Sequence, residues 1–544
     1  MHADTLIPPY GGALVDLINP TRLDALKQEA LGLPSLDLDW QAQCELELLM
    51  SGAYSPLDAF MTRSQCERVL HTRTLEDGTF WPLPVTLASR QKSTGDLKPG
   101  DRVVLRDGEG YMLALLTVAD VWEDAGQWHL GGPVEGTALP PHPDFAPLRF
   151  TPAELRAHFA RRGWRRVVAW QARQPLHRAQ FEFCLKTAVE RQANLLLHPM
   201  AGGDLTESPA YFGLVRSVMA VHDRFPAATT QLAVLPAVPR EASADALLLR
   251  AIVARNYGCA LLITGGEHLP AGSCRRGEDL ACEPSDQPMA DLATRISVEL
   301  IAYPRMVYVE DRAEYLPESD IPVGARTLTL PGEEFRRRLQ RGLKIPEWYS
   351  FPEVLAELHR QHPPRDQQGF TVFFTGLSGA GKSTLARALA ARLMETGGRS
   401  VTLLDGDIVR RHLSSELGFS KAHRDINVRR IGFVASEITK NRGIAICAPI
   451  APYRQTRRDV RAMIEAVGGF VEIHVATPIE TCEARDRKGL YAKARAGLIP
   501  EFTGVSDPYE IPEQPELAID TTGLGIDEAV QQILLKLEHE GYLR

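Results

Sequence analysis

Residues 370–384 read FTVFFTGLSGAGKST, an apolar run of strand length followed by a glycine-rich loop. Residues 376–383 match the pattern GxxxxGK[ST] of phosphate-binding loops, which lie between a strand and a helix. Leu385, Leu389 and Leu393 follow at four-residue intervals, and this spacing predicts a helix directly after the loop. The stretch therefore predicts an α/β domain that binds a nucleotide.

The residue types of the loop suit phosphate and Mg²⁺. Glycines let backbone N–H groups close around phosphate oxygens, and the N-terminus of the following helix adds positive potential. The Lys382 side chain can reach the β- and γ-phosphates, and the Ser383 hydroxyl can ligate Mg²⁺. We predict that MgATP is bound by Gly376, Ser378, Gly379, Ala380, Gly381, Lys382, Ser383 and Thr384.

Two carboxylates stand at the end of the next predicted strand, where VTLL (401–404) is followed by Asp405-Gly406-Asp407. Carboxylates beside the phosphates suit the organisation of Mg²⁺ and the activation of an acceptor hydroxyl. A solvated turn with an Asp helix cap is the structural alternative. The sequence lacks the NKxD motif that recognises guanine in GTPases, so the surrounding residues have to indicate the acceptor.

Strand and helix patterns alternate through the rest of this region. The apolar runs are IAICA (444–448), VEIHV (471–475) and ELAID (516–520), and an amphipathic helix is predicted from about Ile526 to Glu540. Short apolar strands separated by helices are typical of a parallel sheet covered by helices. We predict that residues 369–544 form a P-loop α/β domain with a parallel sheet.

This region resembles the adenylyl-sulfate (APS) kinase family over essentially all of its length. The matching stretches are GLSGAGKST, LLDGDIVR, LGFS (417–420), RDINVRRIG (424–432), PYR (452–454), RDRKGLYAKARAG (485–497), FTG (502–504) and DPYE (507–510). Several motifs in the family's order are far more specific than any one of them. The resemblance implies phosphoryl transfer from MgATP to the 3′-hydroxyl of adenylyl sulfate.

The resemblance implies catalytic roles on the phosphate side. Lys382 would contact the phosphates, and Asp405 would orient or deprotonate the 3′-hydroxyl and ligate Mg²⁺ together with Ser383. Asp407 would be a second carboxylate behind it or a further metal partner. Ala451 stands where the family often has Ser before PYR. A phosphoserine intermediate is thus impossible at this position, and direct in-line transfer remains.

The resemblance also implies how the acceptor nucleotide is held. Arg410, Arg424 and Asn427 would bind its phosphosulfate and ribose, and Phe419 and Phe502 would stack on its adenine. The segment 485–497 would be a lid that closes over the phosphates. Within that segment, Arg485 would contact ATP, and Lys488 would be one of the basic residues on the acceptor side.

The first two-thirds of the chain divide into two patterns. Residues 1–150 contain short apolar runs broken by Gly, Pro and Asp, which predict a mostly β domain; these runs are WPLPVTL (81–87), DRVVLRD (101–107) and YMLALLTVADV (111–121). Residues 151–348 show a strand–loop–helix rhythm, which predicts a parallel α/β domain. Its strands are predicted at VVAW (167–170), LLLH (195–198), LAVLP (232–236), ALLIT (260–264) and MVYVE (306–310). Residues 349–368, which end in a polar, proline-bearing stretch, are predicted to be a linker.

Residues 1 to about 348 resemble ATP sulfurylase (sulfate adenylyltransferase). The matches include PPYGGALVDLI (8–18), CELELLMSGAYSPLDAFM (44–61), the segment 167–182, PREA (239–242), RNYGC (255–259) and IPEWYSFPEVL (345–355). The resemblance implies a PUA-like β domain followed by a Rossmann-like nucleotidyltransferase domain. It also implies exchange between ATP plus sulfate and APS plus pyrophosphate.

The motifs of the sulfurylase-like site depart from the family pattern. Where the family reads QxRNPxHRAH, residues 171–180 keep Gln171, Arg173 and His177 but have Gln174 and Gln180 in place of Asn and the second His. The family's GRDHAG is GGEHLP (265–270), which keeps His268 and loses the arginine, and a further arginine is lost within 234–242. Removing one preorganised donor lowers a rate by about 10²–10³-fold. These changes predict a weak or inactive sulfurylase site.

Three hypotheses for the whole chain follow. In the first, an APS kinase carries a sulfurylase-like region that is weak or inactive and serves assembly or regulation. In the second, the chain is fully bifunctional and makes 3′-phosphoadenylyl sulfate from sulfate and two ATP molecules. In the third, the N-terminal region senses a nucleotide through Gln171, Arg173 and His177 without turnover.

Composition limits which binding partners and which cellular compartment we predict for the protein. The 544 residues carry a net charge of −8, which argues against general affinity for nucleic acid. The sequence shows no signal peptide, no apolar run of membrane-spanning length and no CxxC pair among its eight cysteines, which predicts a cytoplasmic protein with reduced, mostly buried thiols. Resemblance to both families predicts a homo-oligomer that uses small-molecule substrates.

Overall fold

The computed structural model describes residues 5–200, 210–238, 240, 243–265, 289–486 and 489–543. The chain divides into two compact units, Met1–Arg338 with Lys344–Gln361 and Leu339–Leu343 with His362–Arg544. In the described part of the chain, no helix is both long enough and apolar enough to cross a membrane.

The first unit begins with a mostly antiparallel sheet. Its helices and strands, in chain order, are α1 (Leu23–Ala30), β1 (Ser35–Asp37), α2 (Trp40–Met50), β2 (Ala59–Phe60), α3 (Arg63–Thr72), β3 (Leu87–Ser89), β4 (Arg102–Arg106), β5 (Met112–Thr117), β6 (Asp120–Asp124) and β7 (Gln127–Gly136). The order is β1-β4-β5-β7-β2, with β3 and β6 also paired to β7. Only the β1–β4 pair is parallel. The prediction of a β-rich N-terminal domain is confirmed.

Two strand predictions in this sheet need correction. In WPLPVTL only Leu87 lies in a strand, because Pro82 and Pro84 have no N–H to donate to a ladder. The run 111–121 forms two strands rather than one, with a break at Val118 and Ala119 between β5 and β6.

A five-stranded parallel sheet follows in the same unit. Its elements are α4 (Pro152–Arg161), β8 (Val167–Trp170), α5 (Arg178–Glu190), β9 (Asn194–Leu197), α6 (Ala210–His222), β10 (Thr230–Leu232), α7 (Ala244–Asn256), β11 (Leu261–Thr264), α8 (Met289–Ile296) and β12 (Glu299–Ala302). The strand order is β10-β9-β8-β11-β12, and all four pairs are parallel. The predicted strand at 232–236 begins earlier than expected, since β10 ends at Leu232.

The last predicted strand of this domain lies in a different sheet. It is β13 (Met306–Val309), which pairs antiparallel with β14 (Glu314–Pro317) and β15 (Thr327–Leu328). Placing it in the parallel sheet was wrong, because an apolar run does not specify the strand that it will pair with. Helices α9 (Gly332–Gln340) and α10 (Pro352–Gln361) follow. Helix α10 lies within the stretch predicted as a linker, and its Val354 and Leu358 are buried.

The second unit is a parallel α/β sheet. Its elements are β16 (Phe370–Thr375), α11 (Lys382–Thr396), β17 (Val401–Asp405), α12 (Gly406–His412), α13 (Lys421–Lys440), β18 (Ile444–Ala448), α14 (Arg454–Glu465), β19 (Gly469–Val475), α15 (Ile479–Arg485), α16 (Leu490–Arg495), β20 (Leu517–Ile519) and α17 (Ile526–His539). The order is β17-β18-β16-β19-β20, with every pair parallel. The predicted parallel sheet is confirmed.

Strand β16 lies at the centre of this sheet, and every one of its residues is buried. Phe370, Val372 and Phe374 face one core cluster and Phe373 faces another, as the two-residue period of a strand requires. Each such side chain contributes about 1.5–3 kcal/mol on burial. Because the glycine-rich loop directly follows β16, it lies at the carboxyl edge of the sheet.

The cysteines of the described residues fit the prediction of buried thiols. Six of them, Cys44, Cys66, Cys184, Cys259, Cys447 and Cys482, are buried and form no disulfide. Cys274 and Cys282 lie outside the described residues.

Candidate active site

The loop after β16 has a backbone that needs glycine. Gly376 has φ 149° and Gly381 has φ 107°, in the region that side chains disfavour. A Cβ at Gly376 would lie 2.6 Å from the Val475 carbonyl oxygen. Helix α11 begins immediately after Gly381, so the loop ends at the positive end of a helix.

Lys382, Ser383 and Asp405 meet at the carboxyl edge of the sheet. Lys382 is buried, and its Nζ donates to the Leu377 carbonyl oxygen at 2.7 Å. The Ser383 Oγ donates to Asp405 Oδ1 at 3.4 Å, and Arg387 donates to Asp405 Oδ2 at 3.2 Å. Asp405 is 4% exposed. The predicted phosphate and carboxylate sides of the site are therefore adjacent.

A second cluster surrounds Arg424 on α13. Its guanidinium donates to Asp507 Oδ2 at 2.6 Å and to Thr503 Oγ1 at 2.8 Å. The Tyr453 hydroxyl donates to the same Asp507 oxygen at 2.8 Å. Asn427, one turn further along α13, is buried, and its side-chain oxygen has no hydrogen-bond partner. A buried acceptor without a partner is unusual in a native protein, which is consistent with the predicted ligand contact of Asn427.

The predicted stacking residues differ in their surroundings. Phe419 is 65% exposed, and the Arg410 guanidinium lies over its ring at 4.4 Å. Arg410 also donates to the carbonyl oxygens of Leu417 and Gly418, each at 3.2 Å. Phe502 packs edge-on against Tyr491, with ring centroids 5.1 Å apart. Phe419 therefore offers an open aromatic face, whereas Phe502 is part of a packed pair.

Arg485 ends α15 and turns towards the loop after β20. It donates to Thr521 Oγ1 at 2.7 Å and to the Thr521 carbonyl oxygen at 2.8 Å. Lys488 lies outside the described residues, and so does the side chain of Asp407, whose backbone is part of α12.

In the first unit, Gln171 and Arg173 follow β8 at the carboxyl edge of its sheet. Gln171 is fully buried, and its Oε1 accepts from Arg250 Nε at 2.9 Å. Arg173 donates to the Arg240 carbonyl oxygen at 3.2 Å. The Arg240 guanidinium donates to both Glu45 carboxylate oxygens, at 2.7 and 2.8 Å. One arginine of this edge is therefore neutralised by a carboxylate.

His177 and Gln180 have structural partners. The Nδ1 of His177 lies 2.8 Å from Ser350 Oγ, and the ring packs against Tyr349. Burial lowers the pKa of His177 to about 4, so this imidazole is neutral at pH 7. Gln180 Oε1 accepts from the His177 backbone N–H at 3.2 Å and caps the start of α5. His268 lies outside the described residues.

Comparison with known proteins gives consistent matches along the chain. Family models match as PUA-like domain at residues 7–149, ATP-sulfurylase at 146–361 and Adenylylsulphate kinase at 368–520. A sulfate adenylyltransferase of Emericella nidulans is 40% identical over 98% of this chain and 99% of its own length. The chain belongs to the sulfate adenylyltransferase family and also carries an adenylylsulphate kinase domain. A solved structure titled hexameric APS kinase from Thiobacillus denitrificans is 70% identical, covers 99% of each chain and has a TM-score of 0.88.

Within the APS-kinase domain, the structure brings together most of the predicted phosphate side. The loop glycines, Lys382, Ser383 and Asp405 lie along one edge of the sheet, because β16 and β17 both end there. Thr384 is exposed on α11. On the acceptor side, Arg424 and Asn427 share one buried stretch of α13.

Several polar residues near the site of the APS-kinase domain were not predicted from the sequence. Asp507 and Tyr453 hold Arg424, and Thr477 and Thr521 contact the phosphate loop from behind. Asp507 and Tyr453 belong to the family motifs DPYE and PYR, so the resemblance was the signal that could have identified them. Thr477 and Thr521 stand outside those motifs, and only the fold places them there.

Proposed function

We propose that this chain is an adenylyl-sulfate kinase that phosphorylates the 3′-hydroxyl of adenylyl sulfate, and that its ATP-sulfurylase domain has little or no activity. The proposal rests on one observation: Lys382, Ser383 and Asp405 lie together at the carboxyl ends of β16 and β17. A buried carboxylate beside a phosphate loop suits transfer to a hydroxyl acceptor.

The transfer would proceed in one step. The 3′-hydroxyl oxygen forms a bond to the γ-phosphorus, while the bond between that phosphorus and the bridging oxygen of ADP breaks. The hydroxyl proton passes to the Asp405 carboxylate, and ADP leaves with the bond's electron pair. Lys382 places a positive charge where negative charge develops. Asp507 and Tyr453 keep the Arg424 guanidinium in place for the acceptor.

The residues present fit Mg²⁺ carried by ATP. Mg²⁺ prefers oxygen ligands and keeps several waters together with substrate phosphates, and the Ser383 hydroxyl and the Asp405 carboxylate supply two protein oxygens 3.4 Å apart. We propose that these two residues hold the ion. Bound there, Mg²⁺ supplies charge neutralisation at the β- and γ-phosphates.

The contacts of the ATP-sulfurylase domain support the second half of the proposal. Gln180 is committed to capping α5 and carries no charge, and burial keeps His177 neutral. Arg240 is paired with Glu45. A site for adenylyl transfer depends on positioned cations and donors, and in this domain several of those groups are absent or committed to other partners.

A paired assay on the full-length protein tests both halves. We expect MgATP-dependent conversion of adenylyl sulfate to its 3′-phosphorylated form. In the second arm, we expect ATP formation from adenylyl sulfate and pyrophosphate to be at least about 10²-fold slower than with a sulfurylase that keeps the intact motifs, since one lost donor costs about that much. Chromatography of the nucleotides measures both arms. A second-arm rate equal to that of such a sulfurylase would instead support the fully bifunctional enzyme, and no product in the first arm would contradict the kinase assignment.

We also propose that the protein is a homo-oligomer. Ile426 and Phe433 stand seven residues apart on α13, two turns along one face, and are 40% and 60% exposed. Large contiguous apolar patches mark interaction surfaces, and we propose that these two side chains belong to one. Sedimentation equilibrium should give the mass of several chains for the wild type. Phe433→Glu should lower this mass, whereas Met394→Glu, at a 56% exposed position on α11, should leave it unchanged. A single-chain mass for the wild type would contradict the proposal.

A further inference from the structure

Two threonines contact the phosphate loop at Ala380, which lies two residues before Lys382. Thr477 follows β19 and Thr521 follows β20 by the same two residues, and these strands pair in parallel. The threonine Oγ1 atoms are 2.8 Å apart. Both also contact one atom of the loop, the Ala380 carbonyl oxygen, at 3.1 Å from Thr477 and 3.0 Å from Thr521. Thr477 is 3% exposed, so its hydroxyl must be satisfied inside the protein.

The direction of these hydrogen bonds follows from counting protons. A guanidinium only donates, and each hydroxyl has a single proton. Thr521 Oγ1 accepts from Arg485 at 2.7 Å, and Thr477 Oγ1 accepts from the Thr521 backbone N–H at 3.2 Å. Two hydroxyl protons remain for three contacts, so at least one of them is donated to Ala380 whichever pairing forms. The charged donor at Thr521 polarises the hydroxyls and strengthens that bond.

The Ala380 carbonyl controls the direction of a neighbouring N–H group. In a planar trans peptide the C=O and the N–H of the next residue point to opposite sides. Holding the Ala380 oxygen against the threonines therefore turns the Gly381 N–H to the opposite face of the loop. Gly381 has φ 107° and no Cβ, so little else in its own covalent structure restrains this peptide. Successive backbone N–H groups on the concave face of such a loop bind phosphate.

We propose that Thr477 and Thr521 are positioning residues that aim the Gly381 N–H at the nucleotide's phosphates, with Arg485 polarising the pair. The inference rests on the proposed kinase function only in assuming that this loop binds ATP. It links Arg485, the last residue of α15 and the first of the predicted lid segment, to the phosphate loop through hydroxyl contacts. Neither threonine touches the reacting atoms in this arrangement.

Calorimetry with MgADP on the full-length protein tests the proposal. Thr477→Val keeps the shape of the side chain and removes its hydroxyl. We expect it to weaken MgADP binding by roughly tenfold, the effect of one lost hydrogen bond to a buried group, because the Ala380 carbonyl oxygen keeps only the Thr521 hydroxyl and the Thr521 backbone N–H loses its acceptor. Thr477→Ser, which restores the hydroxyl, should recover binding to within about threefold of the wild type. Binding of adenylyl sulfate by the same variants should not change, since that ligand is proposed to occupy the Arg424 side.

The matched control is Thr522→Val. Thr522 adjoins Thr521 in sequence but is exposed, and its hydroxyl lies 3.4 Å from Thr481 Oγ1 and also bonds to the Asp520 carboxylate. MgADP binding by this variant should equal that of the wild type. Unchanged binding by Thr477→Val, or equal weakening of both ligands, would overturn the proposal. If Thr477→Val does not fold, Thr521→Val at a half-buried position replaces it with the same expected result.

The two proposals can fail separately. A wild-type protein that binds MgADP but phosphorylates no adenylyl sulfate would remove the proposed function and leave the role of the threonines to the binding data. A protein with full kinase activity whose MgADP affinity is insensitive to Thr477→Val would keep the function and remove the positioning role.

Discussion

Asp405→Asn should lower the rate of phosphoryl transfer by about 10²–10⁴-fold, the contribution of a general base. The substitution preserves the size of the side chain and its place at the end of β17. The amide cannot take the proton of the 3′-hydroxyl and brings no negative charge to Mg²⁺. Single-turnover kinetics with MgATP and adenylyl sulfate measures the effect. Because the carboxylate acts during transfer, kcat should fall more than the affinity for either substrate.

The control is Asp459→Asn in the same domain. Asp459 accepts from Arg429 at 2.7 Å and from Gln455 at 2.8 Å on the surface of α14, so its substitution removes a surface ion pair with an arginine. Such pairs contribute about 0–1 kcal/mol, and the transfer rate should stay at the wild-type level. A wild-type transfer rate for Asp405→Asn would show that this carboxylate neither orients nor deprotonates the acceptor.

Lys382→Met should lower the same rate by about 10²–10³-fold, the cost of removing one preorganised donor. The Lys382 ammonium is buried and held by the Leu377 carbonyl oxygen at 2.7 Å, so its charge is placed before the nucleotide arrives. Methionine fills most of the space without that charge. Steady-state kinetics over a range of MgATP concentrations separates the loss in kcat from the loss in affinity.

Lys440→Met provides the comparison for this second variant. Lys440 ends α13, is half-exposed to solvent and lies 3.8 Å from Glu437. It carries the same charge as Lys382 at a position far from the loop in sequence. Its kinetics should match the wild type. Wild-type activity in Lys382→Met would contradict the assignment of the phosphate side of the site.

The phosphate side was the easiest part to predict, because its information is local. A strand, a glycine-rich loop and a helix are encoded within residues 370–396, and each of them forms as expected. The pair Ser383–Asp405 was also predictable. Ser383 belongs to the phosphate-loop motif that follows the apolar run FTVFFT, and Asp405 follows the apolar run VTLL. Both runs end at the same edge of a parallel sheet.

The pairing of strands and the hydrogen bonds over long sequence distances were harder to predict. The run 306–310 has the composition of a parallel strand, yet β13 pairs antiparallel with a strand only a few residues further on. Composition indicates that a run is buried but does not name its neighbour. The contact between Arg424 and Asp507 spans 83 residues, and no period in the sequence connects them.

The sequence by itself determined the phosphate loop, which depends on residue types at short spacing, and its resemblance to two families indicated the order of the three domains and the changes in the sulfurylase-like motifs. The tertiary structure decided what the remaining side chains do. Gln180 caps the start of α5, and Thr477 and Thr521 contact the Ala380 carbonyl oxygen. Those roles depend on which strand ends lie side by side, and that is settled by packing of the whole core rather than by neighbours in the chain.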